Sequence, residues 1–190
     1  MKPPDPLHRL HHVRAWFAGF PLLWPLVGLV ALLVFNVAYH PGFIAVEVRD
    51  GHLYGTPVDL LHQGSKGILL AIGMTLVIAS GGIDLSVGSV MAIAGALAAL
   101  LARRADLPLV LVIVLPLGLA AAAGLWNGLL VTGAKIQPII ATLILMTAGR
   151  GLAMLLTGGQ NVAFERPGFI FLGNGHLLGL PFTIYLVAAA

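Results

Sequence analysis

The stretch Gly73-Met-Thr-Leu-Val-Ile-Ala-Ser-Gly-Gly-Ile-Asp-Leu-Ser-Val-Gly-Ser-Val90 decides how the chain is read. It sets a carboxylate, Asp84, just after a Gly81-Gly82 pair in the middle of an apolar run. In hydrocarbon every backbone polar group needs a partner inside the protein. Glycine breaks and ionised side chains are therefore tolerated only against other protein or a wet cavity. The combination points to a transport pathway rather than to passive anchoring.

Working outward, 59% of the 190 residues are hydrophobic and 9% are charged, against roughly a quarter charged in ordinary globular domains. Windows near twenty residues long and almost free of charge read as several transmembrane helices. Spans are expected at residues 20–39, 107–132 and 138–157, with a last apolar run from 181 to 190. Between the first two, residues 68–79 and 87–102 are each too short to reach comfortably across about 30 Å of hydrocarbon. As one continuous helix, residues 68–102 would measure about 50 Å, which is too long. Two crossings solve this, the first borrowing its outer turn from residues 58–67. The competing solution is a single kinked passage, which inverts everything after it.

The fold class is thus an all-α polytopic bundle with a glycine-broken helix pair and about six spans. The last span stops in hydrophobic sequence, so the chain reads as the N-terminal part of one longer transmembrane domain, with residues 1–19 as a tail. Lys2, Arg9 and Arg14 precede the first span and put the N-terminus in the cytoplasm. That count places Lys135 inside, as the positive-inside rule asks, and Arg103 and Arg104 outside, against it. Trp16, Trp24 and Tyr39 suit the membrane interface. Asp106 stands at i+3 from Arg103, available for local neutralisation. Residues 40–66 read as a polar segment and residues 158–179 as an aqueous loop.

The candidate residues follow from this frame. Asp84 is placed to N-cap the next helix, and also to line a solute path with Gly81, Gly82, Ser86 and Gly88. Gly88, Ala92, Gly95, Ala96 and Ala99 form small surfaces suited to helix packing. Trp126, Asn127 and Gln137 are candidates for stacking on a sugar ring and reading its hydroxyls, or for plain interhelical bonding. Arg150 must snorkel or pair. The net charge of +3 is suited to anionic lipid, not to nucleic acid. With no cysteine there is no thiolate chemistry, and His8, His11 and His12 in a polar tail lack the carboxylates of a metal centre, so no metal is expected. Gly64-Ser-Lys-Gly67 lacks the spacing of a phosphate loop, and no His-Glu-x-x-His or nucleophile elbow occurs. The chain is therefore not expected to be an enzyme or to hydrolyse ATP.

The stretch quoted above, with Thr142-Leu-Ile-Leu-Met-Thr-Ala-Gly-Arg-Gly151 and Leu156-Thr-Gly-Gly159, resembles the membrane permeases of bacterial ribose-type carbohydrate ABC importers. Tyr54-Gly-Thr-Pro-Val-Asp59, Gly124-Leu-Trp-Asn-Gly128 and Lys135-Ile-Gln-Pro138 are most similar to the galactofuranose-transporting branch. The resemblance implies a ten-span permease in the inner membrane that imports a monosaccharide, a pentose or hexose, by alternating access. It implies a second permease copy, ATP-binding subunits that hold the ATP, a periplasmic sugar-binding protein and a path at the permease dimer interface. An ion-coupled secondary transporter using Asp84, and a structural membrane protein whose glycines only pack, are the two rival readings.

Overall fold

A computed structural model describes residues 22–190 except Asp50 and Ala105. Trp16, the three tail histidines, Lys2, Arg9, Arg14 and the first residues of the expected first span lie outside the described residues. By internal contacts the chain divides into two compact units, 22–49 with 53–59, and 51–52 with 60–190.

In the first unit, α1 (Leu23–Tyr39) leaves its apolar side chains exposed on every side. Trp24 and Tyr39 stand near its two ends, about 22 Å apart along the axis. Residues expected as irregular polar sequence form β1 (Glu47–Arg49) and β2 (His52–Tyr54), which make a two-stranded sheet. Gly55 closes it with φ +147°, and a Cβ there would come 2.3 Å from the Ala45 carbonyl oxygen.

The helix α2 (Thr56–Ala79) settles the length question raised by the sequence. It runs unbroken for 24 residues through the polar His62-Gln-Gly-Ser-Lys66 stretch, about 36 Å. Asp59 in its first turn complements the positive end of the helix dipole. After a break come α3 (Val87–Ala102), α4 (Leu109–Thr132) and α5 (Pro138–Thr157). The apolar periodicity and the glycine and proline punctuation of the sequence set these bounds, with Pro138 at the first turn of α5 where its missing N–H costs nothing. Among the described residues, α2, α4 and α5 are both long and apolar enough to cross a membrane, while α1 and α3 are shorter apolar helices of 17 and 16 residues.

The core of the second unit is the packing of α3 on α5 and α4. Ile93, Ala96, Ala98, Ala102, Val112 and Ala141 are its buried apolar side chains. Small residues let these backbones approach closely, which drives association where lipid tails offer no hydrophobic gain. Ser89 meets Leu145 and Gly149, and Ile93 meets Gly149, so α3 and α5 run parallel, with α4 returning between them. The short links 103–108 and 133–137 therefore lie at opposite ends of this trio.

Residues 158–179, expected as a loop, contain α6 (Pro167–Asn174) and the two-residue strand β3 (His176–Leu177), which pairs with β4 (Leu180–Pro181) just beyond, ahead of α7 (Phe182–Ala189). The reason is local: Pro167 opens a turn of Phe169-Ile-Phe-Leu172 whose aromatic side chains find partners, Phe169 against Phe164 and Phe171 against Phe182. Arg166 donates to the carbonyls of Arg104 and Leu107, fixing the start of α6 to the 103–108 link. Arg103 and Asp106 form no ion pair.

Candidate translocation site at the broken helix

The break between α2 and α3 is built by a specific terminator. Gly81 has φ +77°, its N–H bonds the Ile78 carbonyl (2.9 Å), and the Gly82 N–H bonds the Val77 carbonyl (3.0 Å). These are the two bonds of a Schellman ending, in which glycine takes the left-handed position. Gly158-Gly159 ends α5 in the same way, with φ +63° and the Gly159 N–H on the Met154 carbonyl. A Cβ on Gly82 would sit 3.3 Å from both Val77 Cγ1 and the Val77 carbonyl, so the second glycine is tight as well.

Asp84 does not itself cap α3. The N-cap residue is Ser86, two positions later. The Asp84 carboxylate accepts the Ser86 N–H (2.7 Å) and the Ser86 Oγ–H (2.6 Å), a local side-chain turn that competes successfully with helix continuation. Ser86 Oγ in turn accepts the Asn127 Nδ2–H (3.1 Å) from α4. A relay Asn127–Ser86–Asp84 thus ties the break to a neighbouring helix. Ser86 is 1% exposed and Asn127 6%. Buried and connected, such a network specifies one packing, because any member left alone would be an unpaired polar group in a medium of low dielectric.

Two further bonds hold the start of α3 against α5. Ser89 Oγ donates to the carbonyls of Ser86 (2.7 Å) and Leu145 (3.1 Å). Thr142 Oγ1 donates to the Pro138 carbonyl (2.9 Å) and lies 3.5 Å from the Ile83 carbonyl. Ser89, Thr142 and Gly149 were not singled out from the sequence. The signal for Ser89 was its i+3 spacing from Ser86, which places both on one helix face.

A cavity of about 240 Å³ opens beside the relay, walled by the end of α2, the break, the second half of α4 and the first turn of α5. Asp84, Gly82 and Asn127 line it. A larger cleft of about 590 Å³ lies at the other end, between Arg103 and residues 163–167. Of the sequence candidates, Gly81, Gly82, Asp84, Ser86 and Asn127 are therefore brought together. Gly88 is exposed with open space where a Cβ would go, and Trp126 is 61% exposed and outside the cavity walls. Gln137 caps the start of α5 through its backbone, without a side-chain cap bond, and also lies outside the cavity. Arg150 is exposed on α5 with no hydrogen bond or ion pair among the described residues.

The two crossings expected from length fit the contacts of α2. Near one end, His62 shares a 2.8 Å hydrogen bond with Thr183, beside the segment that Arg166 fixes to the 103–108 link. Near its other end, Val77 and Ser80 line the cavity with Thr132 and Pro138, at the 133–137 link. The chain therefore passes from one end to the other along α2 and back along α3.

With this geometry in view, the comparisons with known proteins fall into place. The chain is 51% identical over 172 residues to the galactofuranose transporter permease protein YtfT of Escherichia coli (strain K12), covering 90% of this chain and 49% of that protein. It is 40% identical over 168 residues to the fructose import permease protein FruF of Bifidobacterium longum, covering 84% and 46%. It is 33% identical over 183 residues to the ribose import permease protein RbsC of Escherichia coli (strain K12), covering 94% and 53%. The chain spans about half the length of these curated relatives. No solved structure matches it significantly. The family model described as branched-chain amino acid transport system / permease component matches residues 56–189, from the first turn of α2 to the end of α7, and the chain belongs to that permease family.

Proposed function

We propose that this chain is part of the permease subunit of an ABC importer that moves a monosaccharide, a pentose or hexose, across the bacterial inner membrane. Galactofuranose is the favoured sugar, on the identity to the galactofuranose transporter permease. The single observation that carries the transport reading is the Asn127–Ser86–Asp84 relay in the wall of a cavity at a glycine-terminated helix break. Irregular backbone and a carboxylate within a membrane bundle mark a substrate path when they line a cavity. The importer works by alternating access, its halves rocking as ATP-binding partner subunits close. The chain itself binds no ATP and is not an enzyme. Its partners are a second permease copy, those ATP-binding subunits, a periplasmic sugar-binding protein and the surrounding lipid, with the N-terminus cytoplasmic.

The experiment is uptake of radiolabelled D-galactose, D-fructose and D-ribose by the full-length permease assembled with its partner subunits. Uptake should need ATP and survive a protonophore and a sodium ionophore. Collapse with an ionophore at constant ATP would instead favour an ion-coupled carrier. Asp84→Asn should reduce uptake about tenfold, the loss expected from one charge-assisted hydrogen bond. Unchanged uptake and ATPase coupling would remove Asp84 from the mechanism.

A further inference from the structure

The hydrogen-bond inventory of the cavity beside Asp84 is one-sided. Every hydroxyl proton in its wall is already committed. Ser80 Oγ donates to the Val77 carbonyl, Thr132 Oγ1 to the Gly128 carbonyl and Thr142 Oγ1 to the Pro138 carbonyl. Ser86 Oγ, which ties the wall together, donates to Asp84 Oδ1. What remains are two side-chain acceptors and the second Asn127 Nδ2 proton, since one of that amide's two protons goes to Ser86 Oγ. Asn127 Oδ1 is buried with no partner, and Asp84 Oδ2 takes no hydrogen bond among the described residues. No Lys, Arg or His side chain lines the cavity. A buried carbonyl without a donor is costly, so a wall whose hydroxyls are all bonded but whose Asn127 and Asp84 oxygens stay open is suited to receive donors.

From this the geometry points to a binding subsite for one neutral, donor-rich ligand, a single monosaccharide ring, held by hydroxyls given to Asp84 and Asn127. The inference rests on the importer reading and deepens it by naming a contact site within the permease. Two arguments favour a sugar over a metal cation. The cavity, about 240 Å³, has room for about eight waters at roughly 30 Å³ each, far more than a bare ion fills. Its lining also offers just one carboxylate, that of Asp84, where a hard cation asks for about six or more oxygen ligands and favours charged ones. Its remaining walls are apolar, with Val77 and Val131 offering surfaces for the C–H face of a ring. The glycines keep the room open: a Cβ on Gly124 or Gly128 would meet nothing within 4 Å.

The test uses the full-length permease with its ATP-binding subunits in lipid nanodiscs, and equilibrium dialysis against radiolabelled D-galactose, D-fructose and D-ribose. Saturable binding of at least one sugar is expected. Asn127→Leu should weaken it at least tenfold, and Gly128→Leu, whose Cβ enters open space in the cavity wall, should abolish it. Gly118→Leu, also in open space on α4 but outside the cavity walls, should leave it unchanged. No saturable binding of any of the three sugars, unchanged binding in Gly128→Leu, or site occupancy by sodium chloride in place of sugar would each overturn the subsite. Absence of ATP-driven uptake in the unmodified importer is a separate result, which removes the importer reading and this inference with it.

Discussion

Gly149 of α5 lies so close to Ser89 of α3 that a Cβ on the glycine would come 2.9 Å from the serine Cβ and 3.0 Å from its Oγ. Ser89 is fully buried and bonded to the Leu145 carbonyl, so it has no room to withdraw. Gly149→Ala should therefore destabilise the α3–α5 pair by about 1–3 kcal/mol, the usual cost of overpacking. Gly151→Ala, two residues on and in open space, should be neutral or slightly stabilising. Thermal unfolding of the two variants in detergent, compared by Tm, checks the pair.

The two glycines that flank the relay should respond oppositely to the same substitution. Gly81 occupies the left-handed region, where an L-residue costs about 1–2 kcal/mol, so Gly81→Ala should lower Tm and blur the end of α2. Gly88 lies inside α3 with nothing near its Cβ position, so Gly88→Ala should gain about 0.5–1 kcal/mol from helix propensity. Equal losses in both variants would contradict the Schellman ending.

Sidedness can be read directly because the chain has no cysteine. Lys135 and Asn161 belong to links at opposite ends of the α3–α4–α5 trio. Single Lys135→Cys and Asn161→Cys variants in intact cells should label oppositely with a membrane-impermeant maleimide. Asn161→Cys should react from outside, and Lys135→Cys only after permeabilisation. The reverse pattern would invert the orientation and put Arg103, Arg104 and Arg166 in the cytoplasm, leaving the two-crossing path of α2 and α3 intact.

Arg150 stands seven residues before the end of α5, about 10 Å along the axis, exposed and without an ion pair among the described residues. An arginine near the centre of a span disfavours insertion by about 2.5–3.5 kcal/mol relative to none, and less as it nears an interface. Arg150→Leu should therefore favour insertion of the isolated α5 segment by about 2–3 kcal/mol, read as inserted fraction in a glycosylation-mapping assay. No change would mean the guanidinium already reaches the headgroups.

The helix ends at Ala79, Ala102, Thr132 and Thr157 were legible because glycine or arginine follows within two residues of each, and the backbone chemistry of those residues is local. The same locality made the α2–α3 break legible. The Asn127–Ser86 bond was not, since it joins residues 41 apart and depends on how α3 and α4 rotate against each other. Trp126 and Asn127 illustrate the point: neighbours on a helix point about 100° apart, so the cavity could take one of them, and packing chose the amide. Asp84 was assigned to the N-cap because carboxylates favour that position. The structure gives the cap to Ser86 and sets the acid one bond further out. The short helix α6 was hidden by the glycines and polar residues around it, which outvoted its four apolar side chains, one of which, Phe171, finds its partner Phe182 only later in the chain.

The packing of α3, α4 and α5 has a mechanical corollary. These three are clamped together by Gly149, Ser89 and Asn127, whereas α2 has no extended packing with them: its last turn lines the cavity beside them, and near its other end His62 bonds Thr183 of α7. A push delivered to α2 would thus be transmitted as rotation about residues 80–85, like an oar turning in its rowlock, while the braced trio stays rigid. Whatever drives the protein, the stroke is expected to fall on that one arm.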